Sequence, residues 1–214
     1  MNESGFDIVN GVVSADDIAR LAGTLGNSGP RHLLRLPAVG ALATHRGLVE
    51  IASRWLDSTA VPFRATLFDK SGMRNWFVAW HQDATLPLES RVGSPEWGPW
   101  SVKAGVLHAR APAWAMERIV ALRVHLDEST LDNGPLRVIP GSHLRGVLST
   151  DEILAVAREE TPVYCLAKRG GIVAMRPLLI HASSKAEAEG PRRVIHIEYA
   201  ASLDLAPGIR LATA

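Results

Sequence analysis

Residues 192–201 read RRVIHIEYAA, a run in which His196 and Glu198 alternate with isoleucine and other apolar residues. Such alternation is typical of a β-strand, because successive side chains of a strand point to opposite faces. Further runs of strand-like composition precede this one, separated by turn signals such as the Asn-Gly pair at 133–134; they are FRATLF, WFVAW, RIVALRVHL, LRVIP, PVYCLA, GIVAMR and LLIHAS. The pattern predicts about eight short strands over residues 61–202.

Helix signals accompany this β-rich region. Ser14, with Asp17 three residues later, resembles a capping box that opens the run SADDIARLAGTL. The run RGLVEIASRWL places apolar residues at helical spacing, and STDEILAVAREE predicts one helix between strands. We therefore expect a single mostly β (α+β) domain over residues 1–214. Its part from about 61 to 202 is predicted to be a double-sheet jelly roll or barrel, with the helices of about 1–60 packed outside.

The composition argues against several classes of function. The 214 residues carry a formal charge of +1, whereas binding to nucleic acid or to an anionic membrane normally requires a concentrated basic patch. No window approaches the roughly 20 apolar residues of a membrane span, and the N-terminus lacks the pattern of a secretory signal. Because Cys165 is the single cysteine, no internal disulfide is possible and a cytoplasmic location is expected. Oligomeric state is left open.

Residues 84–117 differ in composition from the strands, because they hold three tryptophans among several Gly and Pro residues. This composition predicts long loops, which often act as lids or binding loops. Trp97, Trp100, His108 and Arg110 are candidate contacts for a substrate. The alternatives are core packing for the tryptophans and a solvated loop position for the histidine.

The strand-like run WFVAW leads directly into His81-Gln82-Asp83. Residues i and i+2 of a strand project from the same face, so His81 and Asp83 are expected to point together. An imidazole and a carboxylate so placed are two of the three ligands of a 2-His-1-carboxylate site, which suits non-haem Fe(II). The third ligand is predicted to be His181, which ends a later apolar run. Eleven residues beyond it, Arg192 offers a guanidinium that can receive a carboxylate bidentately.

A His-x-Asp pattern alone is weak, and His125-Leu126-Asp127 is a second match. The first match is favoured because more strands fit between Asp83 and His181, as a jelly roll requires. It also sits at a strand end, where a metal is accessible. The second match precedes a polar turn and is interpreted as structural. For any one match, a packed or exposed histidine beside a solvated acid is the alternative.

Three motifs together resemble the phytanoyl-CoA dioxygenase family of Fe(II)- and 2-oxoglutarate-dependent oxygenases; they are WHQD, VHLDESTLDNGPLRVIPGSHLRG and MRPLLIHASSKAEAEGPRRVIHIEYA. The resemblance covers about residues 61–202 and implies a double-stranded β-helix (a cupin-like jelly roll). It implies Fe(II) as the metal, with His81, Asp83 and His181 matching the iron ligands, and 2-oxoglutarate and O2 as cosubstrates.

The resemblance also assigns residues to the cosubstrate pocket. Arg192 matches the arginine that holds the far carboxylate of 2-oxoglutarate, and Ser183 matches a hydroxyl contact to the same molecule. Lys70 and Gln82 fall where the family often has pocket residues. Arg123 stands where better-known members carry a tryptophan, and this departure adds a second positive charge for 2-oxoglutarate or for an acidic substrate.

The implied reaction is hydroxylation of an unactivated C–H bond of a small organic molecule, with release of succinate and CO2. Asp83 favours oxygenation over halogenation, because related halogenases carry a small residue at this position. Two alternatives stay open: a catalytically silent jelly-roll binding protein, and a metal-dependent hydrolase or isomerase on the same barrel. The second has no use for an arginine such as Arg192 just beyond the last ligand.

Overall fold

The computed structural model describes residues 3–25, 30–70 and 75–213. The helices are α1 (Ala15–Leu25), α2 (Pro37–Ala43), α3 (Arg46–Leu56), α4 (Ala113–Met116) and α5 (Thr150–Glu159), with 3-10 turns at Leu33–Arg35 and Ser142–Arg145. The strands are β1 (Phe6–Val9), β2 (Val61–Lys70), β3 (Val78–His81), β4 (Thr85–Leu88), β5 (Trp100–Lys103), β6 (Val106–Arg110), β7 (Ile119–His125), β8 (Leu136–Val138), β9 (Val163–Cys165), β10 (Ile172–Met175), β11 (His181–Ser183), β12 (Arg192–Ala200), β13 (Asp204–Ala206) and β14 (Ile209–Arg210). None of the helices in these ranges has the length and apolar character needed to cross a bilayer.

Two antiparallel sheets form the centre of the molecule. The major sheet has the strand order β1-β10-β7-β12-β2, and the minor sheet has the order β3-β11-β8-β9. Val173 and Met175 of β10 share one buried apolar cluster with Leu136 and Val138 of β8. Because this cluster joins the two sheets, they pack face to face. The prediction of a mostly β jelly roll is confirmed.

Strand β12 shows how sequence alternation divides the major sheet into two faces. Ile195, Ile197 and Tyr199 are buried in one cluster with apolar residues of α1, α2 and α3, and the Tyr199 hydroxyl donates a hydrogen bond of 3.0 Å to the carbonyl of Ala43. The residues between them point to the opposite face, toward the minor sheet. The helices therefore pack on the outside of the jelly roll, as predicted, and the polar side chains of β12 lie inside.

The prediction of long loops over residues 84–117 is wrong. Strands β4, β6 and β5 pair in that order into a three-stranded antiparallel sheet, and α4 follows. The hairpin between β5 and β6 turns on Ala104 and Gly105, whose φ angles are 49° and 81°. Two positive φ angles suit a tight hairpin, but alanine seldom adopts one, so the sequence carries no recognisable turn signal there. Pro87 within β4 further disguises that strand.

Strand β1 is also absent from the sequence prediction. It has four residues, and it is held by pairing with β10 in a register that joins Phe6 to Met175 and Val9 to Ile172. A strand this short is stabilised by its neighbour rather than by its own propensity. The N-terminal segment therefore contributes an edge strand to the major sheet as well as helices.

Candidate active site

A cluster of potential metal ligands lies where β3 meets β11. His81 ends β3 and pairs in register with His181 at the start of β11, and the two imidazole centroids are 4.1 Å apart. Asp83 follows β3, and its backbone N–H donates to the carbonyl of Pro177 over 3.0 Å. The Asp83 carboxylate lies 3.5 Å from Nε2 of His181 and 3.8 Å from Nε2 of His81. One ligand atom of each residue falls within 4.8 Å of the others, so a single ion could contact all three.

Backbone carbonyls orient both histidines. Nδ1 of His81 lies 2.9 Å from the carbonyl of Ala79, and Nδ1 of His181 lies 2.8 Å from the carbonyl of Leu179. Since a carbonyl only accepts, each Nδ1 carries the proton and each Nε2 keeps its lone pair. Both lone pairs are thereby available to a metal, which is the usual tautomer of a ligating histidine.

The protonation states also suit a metal. Burial, assisted by the neighbouring His81, lowers the pKa of His181 to about 4, so its ring is neutral at pH 7. Burial by itself would raise the pKa of Asp83, but His181, His196 and His81 together outweigh it and hold the pKa well below its ordinary value. A neutral imidazole and an ionised carboxylate are the forms that bind metal. Two nitrogens and one carboxylate oxygen fit a divalent ion such as Fe(II).

A group of buried cations lies beside this cluster. Lys70 and Arg192 are register partners on β2 and β12, and Arg123 comes from β7; all three residues are at most 6% exposed. They line one cavity with the three potential metal ligands and Ser183, which we call the inner cavity. Among its described lining residues Asp83 is the only acid. The inner cavity is therefore strongly positive beside the metal cluster.

Lys70 and Arg123 make hydrogen bonds to uncharged groups, but none of the three cations forms an ion pair with a described acid. The Nε atoms of Arg123 and Arg192 are buried without a hydrogen bond to any described residue. Burial lowers the pKa of Lys70 to about 8, with further contributions from Arg192 and Arg123. Burial, then Arg123, lowers the pKa of Arg192 to about 10. Because unpaired buried charges are unfavourable, this group is suited to an anion with more than one negative charge.

Arg123 and Ser183 are held in position by their neighbours. The Arg123 guanidinium lies over the ring of Phe68, 5.0 Å from its centroid, and 3.3 Å from Nδ1 of His196. Burial, then Arg123, lowers the pKa of His196 to about 3, so His196 is neutral and Nδ1 accepts. Lys70 Nζ donates to Ser183 Oγ over 2.9 Å, which leaves the serine hydrogen free for an acceptor in the cavity.

A second cavity, of about 200 Å³, also reaches Asp83 of the metal cluster; we call it the outer cavity. Phe68 and Asp83 line both cavities. Arg64 also lines the outer cavity and pairs with Glu198, which is buried. The remaining lining residues are Arg31, His32, Thr66, Thr85, Lys103 and His108.

The four predicted substrate contacts divide between cavity and core. His108 lines the outer cavity, with Nδ1 2.9 Å from the carbonyl of Val106. Trp100 and Arg110 line an adjoining groove that Asp83 also reaches, and Arg110 donates to the carbonyl of Leu148. Trp97 is 4% exposed in an apolar cluster, edge-on to a neighbouring indole. Its position favours core packing, which was the alternative given for the tryptophans.

Gln82, predicted for the cosubstrate pocket, makes its hydrogen bonds to the backbone. Its Nε2 donates to the carbonyls of Gly146 and Leu178, each over 2.8 Å, and its Oε1 accepts from the N–H of Leu148 over 2.9 Å. The amide is therefore used in fastening the 146–148 segment. As the residue between two inward-pointing ligands, Gln82 faces away from the inner cavity.

The second His-x-Asp match is structural, as interpreted. His125 is buried with Nδ1 3.0 Å from Oγ of Ser129. Asp127 accepts from the backbone N–H of Arg193 and from two nitrogens of its guanidinium, at 2.8–2.9 Å. Asp127 thus fixes the segment after β7 to β12, and His125 fixes that same segment to β7 through Ser129.

Sequence reasoning missed several residues of the outer cavity. Arg64, Thr66, Phe68 and Lys70 occupy alternate positions of β2. Side chains at alternate positions of a strand share one face, so the predicted pocket residue Lys70 already indicated that the other three face the same way. Arg31 and Lys103 lie outside the regular jelly-roll strands, and no pattern in the sequence marked them.

Comparison with known proteins gives matches to one family and to its fold. The profile of the family described as phytanoyl-CoA dioxygenase (PhyH) matches residues 1–194. No protein with curated annotation matches. Similar solved structures include AviO1 from Streptomyces viridochromogenes Tue57, at 24% identity and a TM-score of 0.68 over 99% of this chain and 94% of that one. EctD from S. alaskensis, solved with 2-oxoglutarate and 5-hydroxyectoine, is 22% identical with a TM-score of 0.70 over 93% and 73%. HygX from Streptomyces hygroscopicus, solved with iron, is 17% identical with a TM-score of 0.66 over 92% and 82%. At these identities the structural similarity shows the fold.

Proposed function

The chain belongs to the phytanoyl-CoA dioxygenase family, and we propose that it hydroxylates an unactivated C–H bond of a small organic molecule. Family membership confirms the predicted class of enzyme, a dioxygenase that uses Fe(II), 2-oxoglutarate and O2. The observation that carries the proposal is the position of His81, Asp83 and His181 between a cation-lined inner cavity and a separate outer cavity. One cavity is suited to the cosubstrate and the other to the molecule that is oxidised.

We assign the metal to three side chains. Nε2 of His81, Nε2 of His181 and one carboxylate oxygen of Asp83 would hold Fe(II). The iron, together with 2-oxoglutarate and O2, supplies the oxidising power that converts C–H to C–OH while 2-oxoglutarate gives succinate and CO2. The protein keeps the ligand atoms in place through the backbone contacts to both Nδ1 atoms.

We assign 2-oxoglutarate to the inner cavity, because its two carboxylates match the unpaired cations there. Arg192 presents a guanidinium fork that suits one carboxylate bidentately. The hydroxyl of Ser183, which accepts from Lys70, is free to donate to the same group. Arg123 adds positive charge on the side of His196, so three cations share two carboxylates.

The molecule that is oxidised would bind in the outer cavity. Phe68 lines both cavities and forms part of the wall between them. Asp83 also faces both, so a substrate carbon in the outer cavity lies beside the metal cluster. The wall keeps the two organic molecules apart while each reaches the same centre.

An anaerobic titration tests the metal and cosubstrate assignments. Protein given Fe(II) and 2-oxoglutarate should develop a weak visible charge-transfer band. His181→Ala should abolish iron binding, and Arg192→Ala should require at least tenfold more 2-oxoglutarate for the same band. His45→Gln, a histidine substitution at the start of α3, is the matched control and should behave as wild type.

The two alternative functions predict different results in this experiment. A barrel hydrolase or isomerase would keep its activity in Arg192→Ala and without 2-oxoglutarate. A silent binding protein would form the band but release no succinate with any candidate substrate. Equal iron binding by wild type and His181→Ala would refute the assignment of the metal site.

A further inference from the structure

The outer cavity contains more positive than negative side chains among its described lining residues. Arg31, Arg64 and Lys103 line it, and Asp83 is the single acid among its described lining residues. Arg64 is paired with Glu198. Neither Arg31 nor Lys103 makes a side-chain hydrogen bond or ion pair with any residue that the structure describes. Among the described residues, Asp83 is therefore the one acid that faces these two cations.

The same groups repel one another across the cavity. Burial lowers the pKa of Lys103, and Arg64 and Arg31 lower it further. The pKa of His108 is lowered by burial and then, among the charges around it, by Arg64, Lys103 and Arg31. Asp83 is the only nearby group whose charge favours protonation of Lys103.

Asp83 cannot serve as a lasting partner for these cations if it binds iron. Its negative charge is then neutralised by a divalent ion. The outer cavity of the loaded enzyme would keep the charges of Arg31 and Lys103 with no acid opposite them. Arg31 is exposed and Lys103 is half-buried, so water solvates both charges, and an anionic ligand would replace that water with a direct charge contact.

We propose that the substrate is a small acid whose carboxylate or phosphate group is held by Lys103 and Arg31, an inference that rests on the proposed function. The cavity volume of about 200 Å³ is below the roughly 300–1,000 Å³ of pockets for drug-sized ligands. A small metabolite suits this volume. Thr66 and Thr85 add hydroxyl groups to the lining, which suits a polar molecule. Anchoring of the anion at one end presents a carbon remote from that group to the metal centre.

Matched pairs of probes test the proposal. Benzoate is compared with benzamide, and phenyl phosphate with phenol, on protein saturated with Fe(II) and 2-oxoglutarate without oxygen. Dissociation constants are read from the change in the visible band and from calorimetry. A charge-assisted contact corresponds to roughly 10–100-fold in affinity. We expect at least one anion to bind about tenfold or more tightly than its neutral partner, and the favoured pair tells carboxylate from phosphate.

Substitutions at Lys103 test whether this residue causes the preference for the anion. Lys103→Gln should remove most of the preference for the anion, and Lys103→Arg should retain it. Lys168→Gln, which removes a charge from an exposed position, should leave it unchanged. Equal affinities for anion and neutral partner, or a preference untouched by Lys103→Gln, would overturn the proposal.

Failure of this inference and failure of the proposed function are distinguishable. If the visible band forms but neither anion binds more tightly than its neutral partner, the proposed substrate class is wrong and the metal assignment stands. If no band forms, calorimetry of iron-free Asp83→Asn protein with 2-oxoglutarate still measures the preference for anions, because this substitution removes the one acidic charge among the described lining residues. Discrimination that Lys103→Gln removes would then support the anion site, and its absence would reject that site.

Discussion

Replacing Lys70 by methionine removes one of the three buried cations of the inner cavity. In the folded protein the pKa of Lys70 falls from 10.5 to about 8, whereas the unfolded chain keeps the ordinary value. A fall of this size makes protonated Lys70 unfavourable to folding by about 3 kcal/mol. Because the lowered pKa belongs to a base, the unfolded state binds more protons between pH 8 and 10.5. The free energy of unfolding must therefore rise with pH across this interval.

The expected size of this rise follows from the two pKa values. Between pH 7 and pH 9.5, wild type should gain about 2 kcal/mol from Lys70. Lys70→Met should lack this gain, although it loses the hydrogen bonds to Ser183 and Ser184 at every pH. The difference in pH dependence between the two proteins therefore isolates the charge from the lost hydrogen bonds.

Urea unfolding at several pH values measures both curves. Lys168→Met, at an exposed position, should follow wild type and serves as the control. Saturating 2-oxoglutarate should flatten the wild-type curve, because a dianion beside Lys70 keeps it protonated. Parallel curves for wild type and Lys70→Met without ligand would refute the view that Lys70 is an uncompensated buried charge.

Three further outcomes are expected. Gln82→Ala should lower the free energy of unfolding by about 2–3 kcal/mol, because it leaves two carbonyls and one N–H without partners; the apparent affinity for 2-oxoglutarate, measured from the visible band, should stay within about twofold. Arg192→Lys should raise KM for 2-oxoglutarate by about 10–100-fold with a smaller change in kcat, because the bidentate grip is lost; succinate release at varied 2-oxoglutarate measures this, and an unchanged KM would contradict the assignment. Asp127→Asn should weaken the contact to Arg193 and lower stability by about 1 kcal/mol in urea unfolding, while iron binding stays at the wild-type level.

The parts of the fold that the sequence predicted are those with strong local patterns. Strands β2, β7, β10 and β12 carry clear β-branched or alternating runs, and α3 carries a clear apolar face. The sheet over residues 84–117 was missed, because its hairpin turns on Ala104 and Gly105 at positive φ. The structure stabilises that turn through pairing of β5 with β6, which is a tertiary effect and leaves no local pattern.

The candidate site likewise contains residues that the sequence predicted and residues that it did not. His81, Asp83, His181 and Arg192 were identified together, and the structure brings them to one cavity. Strand parity places Gln82 on the opposite face from His81 and Asp83, and its amide bonds to backbone groups there. A role for Gln82 in the cosubstrate pocket rests on the resemblance alone.

Residues supplied by connecting segments could not be found from the sequence. Arg31 precedes a 3-10 turn and Lys103 ends β5, and both reach the outer cavity only through the packing of neighbouring elements. Their charges look like those of ordinary exposed residues in the sequence. The chemistry of the metal is encoded locally, whereas the lining of the outer cavity depends on how distant segments assemble.

The inward face of β2 serves both cavities from a single row. Lys70 lies at one end in the inner cavity, Phe68 at the shared wall, and Thr66 and Arg64 in the outer cavity. Alternate residues of a strand are about 6–7 Å apart, so each position has its own neighbourhood. Evolution could therefore retarget such an enzyme by single-codon changes at 66, while Arg64 keeps its pairing with Glu198 and position 70 keeps its task. Divergence toward new metabolites would begin at one end of one strand.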